Sequence, residues 1–438
     1  MKNLLLFFCL LFLVLTSWNQ IYSQTITWTE TRPAGDFNKN WQTTSMSSDG
    51  SKLIAGLSLN DRLYISTDGG MSWTETQPAG DFNKNWQTTS MSSDGSKLIA
   101  GISNGRLYVS TDGGMSWAET QPAGNADKNW LTTSMSSDGS KLIAGAGYGR
   151  LYISTNGGTN WTETQPAGDV DKSWYTTAMS SDGSKLIAGE AIVFSGRLYI
   201  STDGGMSWAE TKPGGDFLMK WFTTSMSPDG SKLIAGAGGT SGTGRLYISI
   251  NSGMSWTETQ PAGDVVKGWS TTSMSSDGSK LIAGVNNGRL YISTNGGMSW
   301  TETQPAGDFG RKFVTTSMSS DGSKLIAGDF SRRLYLGEII LVGIENDKTI
   351  PGQFILYQNY PNPFNPVTNI KFSMPKESYV TLKTYNLLGE AIASFISRVL
   401  PAGLNEFQLD ASSFASGMYI YKLETDDFIS VKKMVYLK

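Results

Sequence analysis

Apolar and polar residues alternate in short runs along most of the chain, from residue 25 to residue 337. The runs are rich in β-branched and aromatic residues and are bounded by Gly, Asp or Ser, as in LIAG, RLYIS and SWTETQ. This is the pattern of strands joined by tight turns, and it differs from the spacing of apolar residues in an amphipathic helix. It predicts an all-β protein.

The alternating pattern is repeated along the chain. Tryptophans mark the repeat at steps of 45, 44, 44, 47, 48 and 44 residues. They are Trp28, Trp73, Trp117, Trp161, Trp208, Trp256 and Trp300. A period of this length is typical of four-stranded propeller blades.

Each period contains the strands of one blade. WQTTSMS and KLIAG flank an SSDGSK hairpin turn, GRLYIS forms the third strand and MSWTETQ the fourth. Seven copies of the first three strands predict a seven-bladed β-propeller at residues 24–337. The last copy, RRLYLGEIILV, has no fourth strand, whereas TITWTE at residues 25–30 has the fourth-strand pattern. We therefore predict that the N-terminal strand closes the ring.

The turn before the fourth strand has the form Ser-x-Asp-x-Gly-x-x-Trp, as in STDGGMSW at Ser66–Trp73. Its third residue is Asp68, Asp112, Asn156, Asp203, Asn251 or Asn295. Because an amide serves as well as a carboxylate, this side chain is predicted to accept backbone N–H bonds within the turn. The octet resembles the Asp-box, or BNR repeat, of sialidases, sortilin-type receptors and xyloglucanases. The resemblance implies a structural turn at the blade edge, away from the ligand site.

The repeats stop after Gly337, and a different β pattern follows. Residues 338–351 are predicted to form a linker, and residues 352–438 a small Ig-like β-sandwich. The latter segment contains YPNPFNP at Tyr360–Pro366, YNLLGE at Tyr385–Glu390, GMYIYKL at Gly417–Leu423 and KKM at Lys432–Met434.

These strings resemble the type A C-terminal sorting domain of the type IX secretion system. The resemblance implies that the segment is an export signal read by the secretion machinery, and that it is removed while the rest is released or anchored at the cell surface. The residues of the predicted sorting signal are Tyr360, Pro361, Asn362, Pro363, Phe364, Asn365, Pro366, Gly417, Tyr419, Tyr421, Lys432 and Lys433.

The N-terminus reads as a signal peptide at residues 1–23. Residues 4–15 are an unbroken apolar run after Lys2, and Ser23 is a small residue suited to cleavage. The run is shorter than the ~20 residues of a membrane-spanning helix. We therefore expect a secreted or cell-surface protein with no transmembrane segment in its mature chain.

Composition removes several kinds of chemistry. The chain has no histidine, and its one cysteine, Cys9, lies in the predicted signal peptide. Imidazole bases, His-ligated metals, thiol nucleophiles and disulfides are thereby excluded from the mature chain. The net charge of -3 and a charged fraction of 17% do not indicate a nucleic-acid partner. We predict no cofactor, no metal and no catalytic residue.

The face opposite the Asp-boxes is predicted to bind the ligand, because its loops differ between blades. The longest lie in blades four and five and include Glu190 and Phe194. Aromatic residues preceded by lysines open the inner strands on this face, which suits stacking on a sugar. The tryptophans among them are Trp41, Trp86, Trp130, Trp174, Trp221 and Trp269. The alternative is that these rings are wedged between blades as core.

Two functions remain open from the sequence. Near-identical blades argue against catalysis, which needs different residues around one reacting atom. An arginine recurs at a single blade position, whereas a sialidase needs three from different positions, so sialidase activity does not follow from the Asp-boxes. We predict a non-catalytic binding or display module for a glycan or protein ligand. The alternative is a glycoside hydrolase that uses paired carboxylates among the non-repeated acids. These acids are Asp61, Asp171, Glu190 and Asp329.

Overall fold

The structure is a computed structural model, and it describes residues 22–59, 61–191, 196–215, 219–238, 244–305, 307, 310–343 and 353–438. Nearly all of the predicted signal peptide, and Phe194, lie outside the described residues. The chain divides into two units, residues 24–340 and residues 341–438. They are described separately.

Four strands recur seven times within the described part of the first unit. The first strands are Lys39–Met46, Trp86–Met91, Asn129–Met135, Trp174–Met179, Trp221–Met226, Trp269–Met274 and Phe313–Met318. The second strands are Leu53–Leu57, Leu98–Ile102, Leu142–Gly147, Leu186–Glu190, Leu233–Ala237, Leu281–Val285 and Lys324–Arg332. The third strands are Leu63–Ser66, Leu107–Ser110, Leu151–Ser154, Leu198–Ser201, Leu246–Ser249, Leu290–Ser293 and Leu334–Gly343. The fourth strands are Thr74–Thr76, Ala118–Thr120, Thr162–Thr164, Ala209–Thr211, Thr257–Thr259, Thr301–Thr303 and, for the last blade, the N-terminal Tyr22–Thr31.

The strands of each blade neighbour one another in this order, and the described residues contain no helix. Blades one and seven are also joined into one eight-stranded sheet, because Lys39–Met46 pairs antiparallel with Lys324–Arg332. The predicted β-propeller is thus confirmed. The second strands are buried at every position of LIAG because neighbouring blades cover both of their faces. The glycine of this segment is required: a Cβ on Gly56 would lie 2.7 Å from the Thr43 side chain and 3.1 Å from Cβ of Trp86 in the next blade.

Hydrogen bonds between threonines join the innermost strands. The hydroxyls of Thr43 and Thr89 are 2.9 Å apart across the first seam, and those of Thr44 and Thr315 are 2.8 Å apart where the last blade meets the first. Equivalent bonds join Thr88 to Thr133, Thr132 to Thr177, Thr176 to Thr224, Thr223 to Thr272, and Thr271 to Thr316. A polar but satisfied seam therefore surrounds the axis of the ring.

The N-terminal strand Tyr22–Thr31 pairs beside Leu334–Gly343 in blade seven. This third strand is longer than the other six, and it includes residues that the sequence pattern assigns to the linker. The reason is packing. Ile339 is buried in the core of blades six and seven, against which Ile26 and Trp28 also pack. The strand therefore continues beyond Gly337, where the other blades turn.

The second unit consists of two packed sheets. One contains Ile355–Leu356, Val367–Met374 and Gly403–Asp410, and the other contains Ala391–Leu400, Ser378–Tyr385, Gly417–Glu424 and Ile429–Tyr436. Phe372 of the first sheet, and Leu382 and Tyr421 of the second, are fully buried in one shared core. The alternating pattern of each strand directs one face inward, as expected of a β-sandwich.

Candidate functional site

The Asp-box turns lie against the SSDGSK hairpins and so share one face of the propeller. The amide of Gly69 donates to the carbonyl of Ser51 at 2.7 Å. Within the same turn, Asp68 Oδ1 accepts from the Ser66 hydroxyl at 2.8 Å and from the Ser72 amide at 2.9 Å. The hydroxyl of Ser72, followed by its amide, lowers the pKa of Asp68 to about 2.

Asparagine makes the same turn without the charge. Asn295 Oδ1 accepts from the Ser293 hydroxyl at 3.0 Å and from the Ser299 amide at 2.9 Å. Gly297 adopts φ 87°, the left-handed conformation that favours glycine. The hydrogen bonds that Asn295 Oδ1 accepts are thus both made within the turn itself.

The six tryptophans proposed as a binding surface are buried, each 2% exposed or less. Each packs edge to face against the tyrosine of the third strand. Trp174 and Tyr199, for example, have ring centroids 5.8 Å apart. A ring enclosed on both faces offers no surface to a sugar, so the stacking hypothesis is corrected here. These rings are the core between blades, because the inner strand turns its bulkiest residue toward the seam.

The repeated arginines are engaged within their own blades. Arg62 Nη2 lies 2.8 Å from Asp81 of the following loop, and its Nε lies 3.6 Å from Glu75 of the fourth strand. In the last blade, Arg333 makes the same two contacts with Asp36 and Glu30, at 2.9 and 3.4 Å. These guanidinium groups clamp the loops and carry charges already balanced by carboxylates.

The four non-repeated acids each have a cation as partner. Asp61 lies 2.6 Å from Lys39, and Asp171 lies 2.8 Å from Arg150. Glu190 is 2% exposed and lies 3.2 Å from Lys172. Asp329 is 1% exposed and lies 3.7 Å from Arg311. Burial raises the pKa of Asp329 to about 6, against the opposing effect of Arg311.

Glu190 and Asp329 occupy the same position in blades four and seven, opposite Trp174 and Phe313. The other blades place an aliphatic residue there, such as Leu57. The two acids are therefore substitutions in the core, each accompanied by its own cation.

Non-repeated side chains also occur at one position that sequence reasoning missed. The residue after each inner aromatic lies in a β-bulge, where the register with the second strand shifts. Around the ring this residue is Gln42, Gln87, Leu131, Tyr175, Phe222, Ser270 and Val314. The sequence signal for this position is the variable letter between the aromatic residue and the TT of each inner strand.

The bulge residues of blades four and five form an aromatic pair. The rings of Tyr175 and Phe222 meet edge to face at 70°, with centroids 5.1 Å apart, and Tyr175 is 37% exposed, so its side chain is partly in water and partly buried. Burial, followed by the neighbouring Tyr148, raises the pKa of Tyr175. Blades three to five thus present three consecutive large apolar residues, Leu131, Tyr175 and Phe222, and the other four blades place Gln42, Gln87, Ser270 and Val314 there.

Two residues in the loops opposite the Asp-boxes are exposed and have a strained backbone. Tyr148 is 77% exposed with φ 54°, and Leu59 is 64% exposed with φ 62°. Blades two and six place asparagines, Asn104 and Asn287, in this conformation. Asparagine tolerates it better than bulky residues do. The amide of Tyr148 donates to Ser173 Oγ at 3.2 Å, which holds the loop beside the inner strand of the next blade.

In the second unit, the YPNPFNP motif is attached to the last strand. The amide of Phe364 donates to the carbonyl of Val435 at 3.0 Å, and Asn362 Oδ1 accepts from the Val435 amide at 2.9 Å. Phe364 is buried, whereas Tyr360, Pro361, Asn362, Pro363, Asn365 and Pro366 are exposed. Tyr421 donates to the carbonyl of Tyr357 at 2.9 Å. The predicted sorting residues therefore include both core anchors and an exposed segment.

Of the other predicted sorting residues, Gly417 opens the strand Gly417–Glu424 and Tyr419 is buried. Lys432 is half-buried and Lys433 is exposed on the last strand. Over the described residues of both units, no cluster of Asp, Glu, Cys or His is arranged to hold a metal ion. A search of the same residues found no helix long and apolar enough to cross a membrane.

Each of the two units contains residues that match the model of a known family. Residues 358–437 match the family described as a secretion system C-terminal sorting domain, and residues 64–75 and 199–210 match the BNR/Asp-box repeat. The comparison with curated proteins found no match to this sequence.

Solved structures show the same propeller fold at low identity. YCF48 bound to D1 peptide is 14% identical with a TM-score of 0.54, and 72% of this chain covers 96% of that one. YCF48 from Cyanidioschyzon merolae is 14% identical with a TM-score of 0.53, and the match covers 70% of this chain and 98% of that one. Hydrazine synthase from Kuenenia stuttgartiensis is 14% identical with a TM-score of 0.55, and the match covers 69% of this chain and 97% of that one. The protein is thus an exported β-propeller with BNR/Asp-box repeats and a secretion system C-terminal sorting domain, destined for the cell surface or the medium.

Proposed function

We propose that the propeller is a non-catalytic binding module whose ligand occupies the face opposite the Asp-boxes, around the inner ends of blades three to five. One observation carries this proposal. A single position in an otherwise repeated inner strand differs in nearly every blade, and it presents Tyr175 beside Phe222. A ligand that contacts several blades at once would need such differences.

The strained loop residue Tyr148 supports the same location. A bulky residue in the left-handed conformation costs about 1 kcal/mol or more, and such residues cluster where a ligand is held. Tyr148 packs little against the protein, so its contacts do not offset this cost. Its hydroxyl and ring are therefore available to a ligand beside Tyr175.

Aromatic faces and amide groups suit either a glycan or a peptide. Glycans are a candidate because the hydroxyl of the exposed Tyr148 offers a hydrogen-bond donor and acceptor without charge, beside the aromatic rings. Peptides are a candidate because a propeller of this fold has been solved with a peptide bound. We propose export through the type IX machinery, with residues 352–438 as the signal.

The test is binding of the full chain to a glycan array and a peptide array, beside a panel of chromogenic glycosides. Tyr175→Ala and Tyr148→Ala should each weaken binding at least tenfold, about 1.4 kcal/mol. Met206→Ala, on the Asp-box face, is the matched exposed control and should bind normally. Turnover of a glycoside that is lost in Glu190→Gln or Asp329→Asn would overturn the proposal in favour of a hydrolase.

A further inference from the structure

The Asp-box turns carry a ring of exposed methionines. The sixth residue of the octet is methionine in five of its six copies, and each is 81–85% exposed. They are Met71, Met115, Met206, Met254 and Met298. So many large apolar side chains, almost fully in water at one equivalent position, have no packing role in the propeller.

The turn itself does not require methionine. Its neighbours are fixed on both sides: the carbonyl of Gly70 accepts from Trp73 Nε1 at 3.0 Å, and the amide of Ser72 donates to Asp68 at 2.9 Å. Blade three has Thr159 at this place and keeps the same turn, since the amide of Asn160 donates to Asn156 Oδ1 at 2.8 Å. The side chain between the fixed neighbours is therefore free to differ.

A second set of methionines lies at the axis on the same face. These end the inner strands and line a central cavity of about 160 Å³. They are Met46, Met91, Met135, Met179, Met226, Met274 and Met318. Met318 is buried and the other six are half-buried beside the seams between blades. A Cβ on Gly95, for example, would lie 3.2 Å from the sulfur of Met91 and 2.9 Å from Cβ of Lys52 in the preceding blade.

The two sets respond differently to oxidation. A sulfoxide on an exposed methionine is hydrated at once and disturbs no contact, whereas a sulfoxide on a seam methionine adds a polar oxygen against the neighbouring blade. The exported chain has no histidine and no cysteine apart from Cys9 of the predicted signal peptide. Thioethers are therefore its most readily oxidised sulfur groups.

We propose that the five Asp-box methionines are a sacrificial oxidation site that consumes hypohalous acids before the seam methionines react. With hypochlorous acid, the thioether sulfur gives up two electrons and chlorine(I) is reduced to chloride. The sulfur gains one oxygen, so R–S–CH3 and HOCl yield R–S(O)–CH3, H+ and Cl-. The propeller keeps its fold because the oxidised atoms lie outside it.

The test treats the full chain with hypochlorous acid at one equivalent per Asp-box methionine. Sulfoxides are mapped by tandem mass spectrometry and the Tm is measured in parallel. We expect the five sites to be oxidised about tenfold faster than the seam methionines, with the Tm unchanged. Met374 and Met434, fully buried in the second unit, should stay reduced.

Two variants extend the test. Replacing all five by leucine keeps size and removes sulfur, and the same dose should then oxidise the seams and lower the Tm. Thr159→Met should add a sixth sulfoxide at the rate of the other five. The proposal would be overturned if the Asp-box and seam methionines of the parent were oxidised at equal rates. It would also be overturned if the leucine variant kept its Tm and its reduced seam methionines as well as the parent does.

Discussion

The indole N–H of Trp28 donates to the hydroxyl of Thr303 at 2.6 Å, and this bond joins the two ends of the propeller. The same bond links each blade to the next, as from Trp73 to Thr31 at 2.8 Å and from Trp117 to Thr76 at 2.7 Å. The N-terminal strand thus occupies the fourth-strand place in blade seven, with its tryptophan in the repeated position. Closure of the ring follows from an ordinary blade contact made by a distant part of the chain.

Removing residues 24–31 should open the ring. The loss of Trp28 alone is worth about 3 kcal/mol, because its half-buried ring packs on the core of blades six and seven. The bared strand Leu334–Gly343 also becomes a free edge that pairs with other molecules. The measurements are Tm and mass by light scattering, with a chain starting at Gln24 as control. A truncated protein that stays monomeric and melts like this control would contradict the closure.

Gly337 of blade seven should tolerate no side chain while Trp28 is present. A Cβ there would lie 2.7–2.9 Å from three atoms of the Trp28 ring, whereas the equivalent residue of blade one is Ser66. Gly337→Ser should lower the free energy of unfolding by about 1–3 kcal/mol. Urea titrations of Gly337→Ser, Trp28→Ala and the double variant form a cycle. Simple additivity in this cycle would show that the two residues are not in steric conflict.

Trp174 and Tyr175 are adjacent residues with separate roles. Trp174→Ala should cost about 3–5 kcal/mol of stability, because it empties a core site. Tyr175→Ala should cost about 1 kcal/mol, because the ring is partly in water and loses mainly its contact with Phe222. Ligand affinity, measured at a temperature where both variants are folded, should fall only for Tyr175→Ala. A fall in affinity for Trp174→Ala but not for Tyr175→Ala would instead indicate that the inner tryptophans form the binding surface.

The Asp-box acid should be replaceable by its amide. Asp112 Oδ1 accepts from the Ser110 hydroxyl at 2.8 Å and the Ser116 amide at 2.9 Å, and an amide oxygen accepts both. Asp112→Asn should keep the Tm at neutral pH, and Asp112→Ala should lower it by a few degrees.

The two Asp112 variants also differ in acid. The hydrogen bond from the Ser116 hydroxyl contributes most to lowering the pKa of Asp112 to about 2. The ionised carboxylate of Asp112 therefore stabilises the folded propeller fully above about pH 4, and this stabilisation is lost as the pH falls toward 2. Asp112→Asn should lack that loss, and an unchanged acid profile would show that the carboxylate is not stabilised by the turn.

Because of Asp329, the propeller should be more stable at mildly acidic pH than at neutral pH. Burial raises the pKa of its carboxyl to about 6, above its ordinary value of 3.8, despite Arg311 and Arg332 nearby. The cost of ionising the buried group therefore grows as pH rises from about 4 to 6 and is constant above that range. Asp329→Asn should remove up to about 3 kcal/mol of destabilisation at pH 7 and none below pH 4. Parallel pH profiles for parent and variant would refute the raised pKa.

The repeat made much of the fold predictable from sequence. Strand order within a blade, the closing role of TITWTE and the Asp-box turn follow from local spacing and turn chemistry, and neighbouring identical units pack in the same way. The extension of the last strand to Gly343 was not visible, because EIILV has the same alternating pattern whether it ends a blade or leads away from it.

The site was less predictable, because a side chain's burial depends on what the next blade places against it. Trp174 and Tyr175 are consecutive aromatics, and only packing of blade on blade makes the first core and leaves the second accessible. Strain at Tyr148 likewise arises from a loop held to the following blade through Ser173. The sequence by itself thus determined the blades and their number, because a repeat of about 45 residues is visible without knowing which units pack together. It determined the export domain through motif strings such as YPNPFNP, whose family match does not depend on knowing the contacts they make. The tertiary structure decided which aromatics, acids and methionines face water, since that depends on contacts between blades.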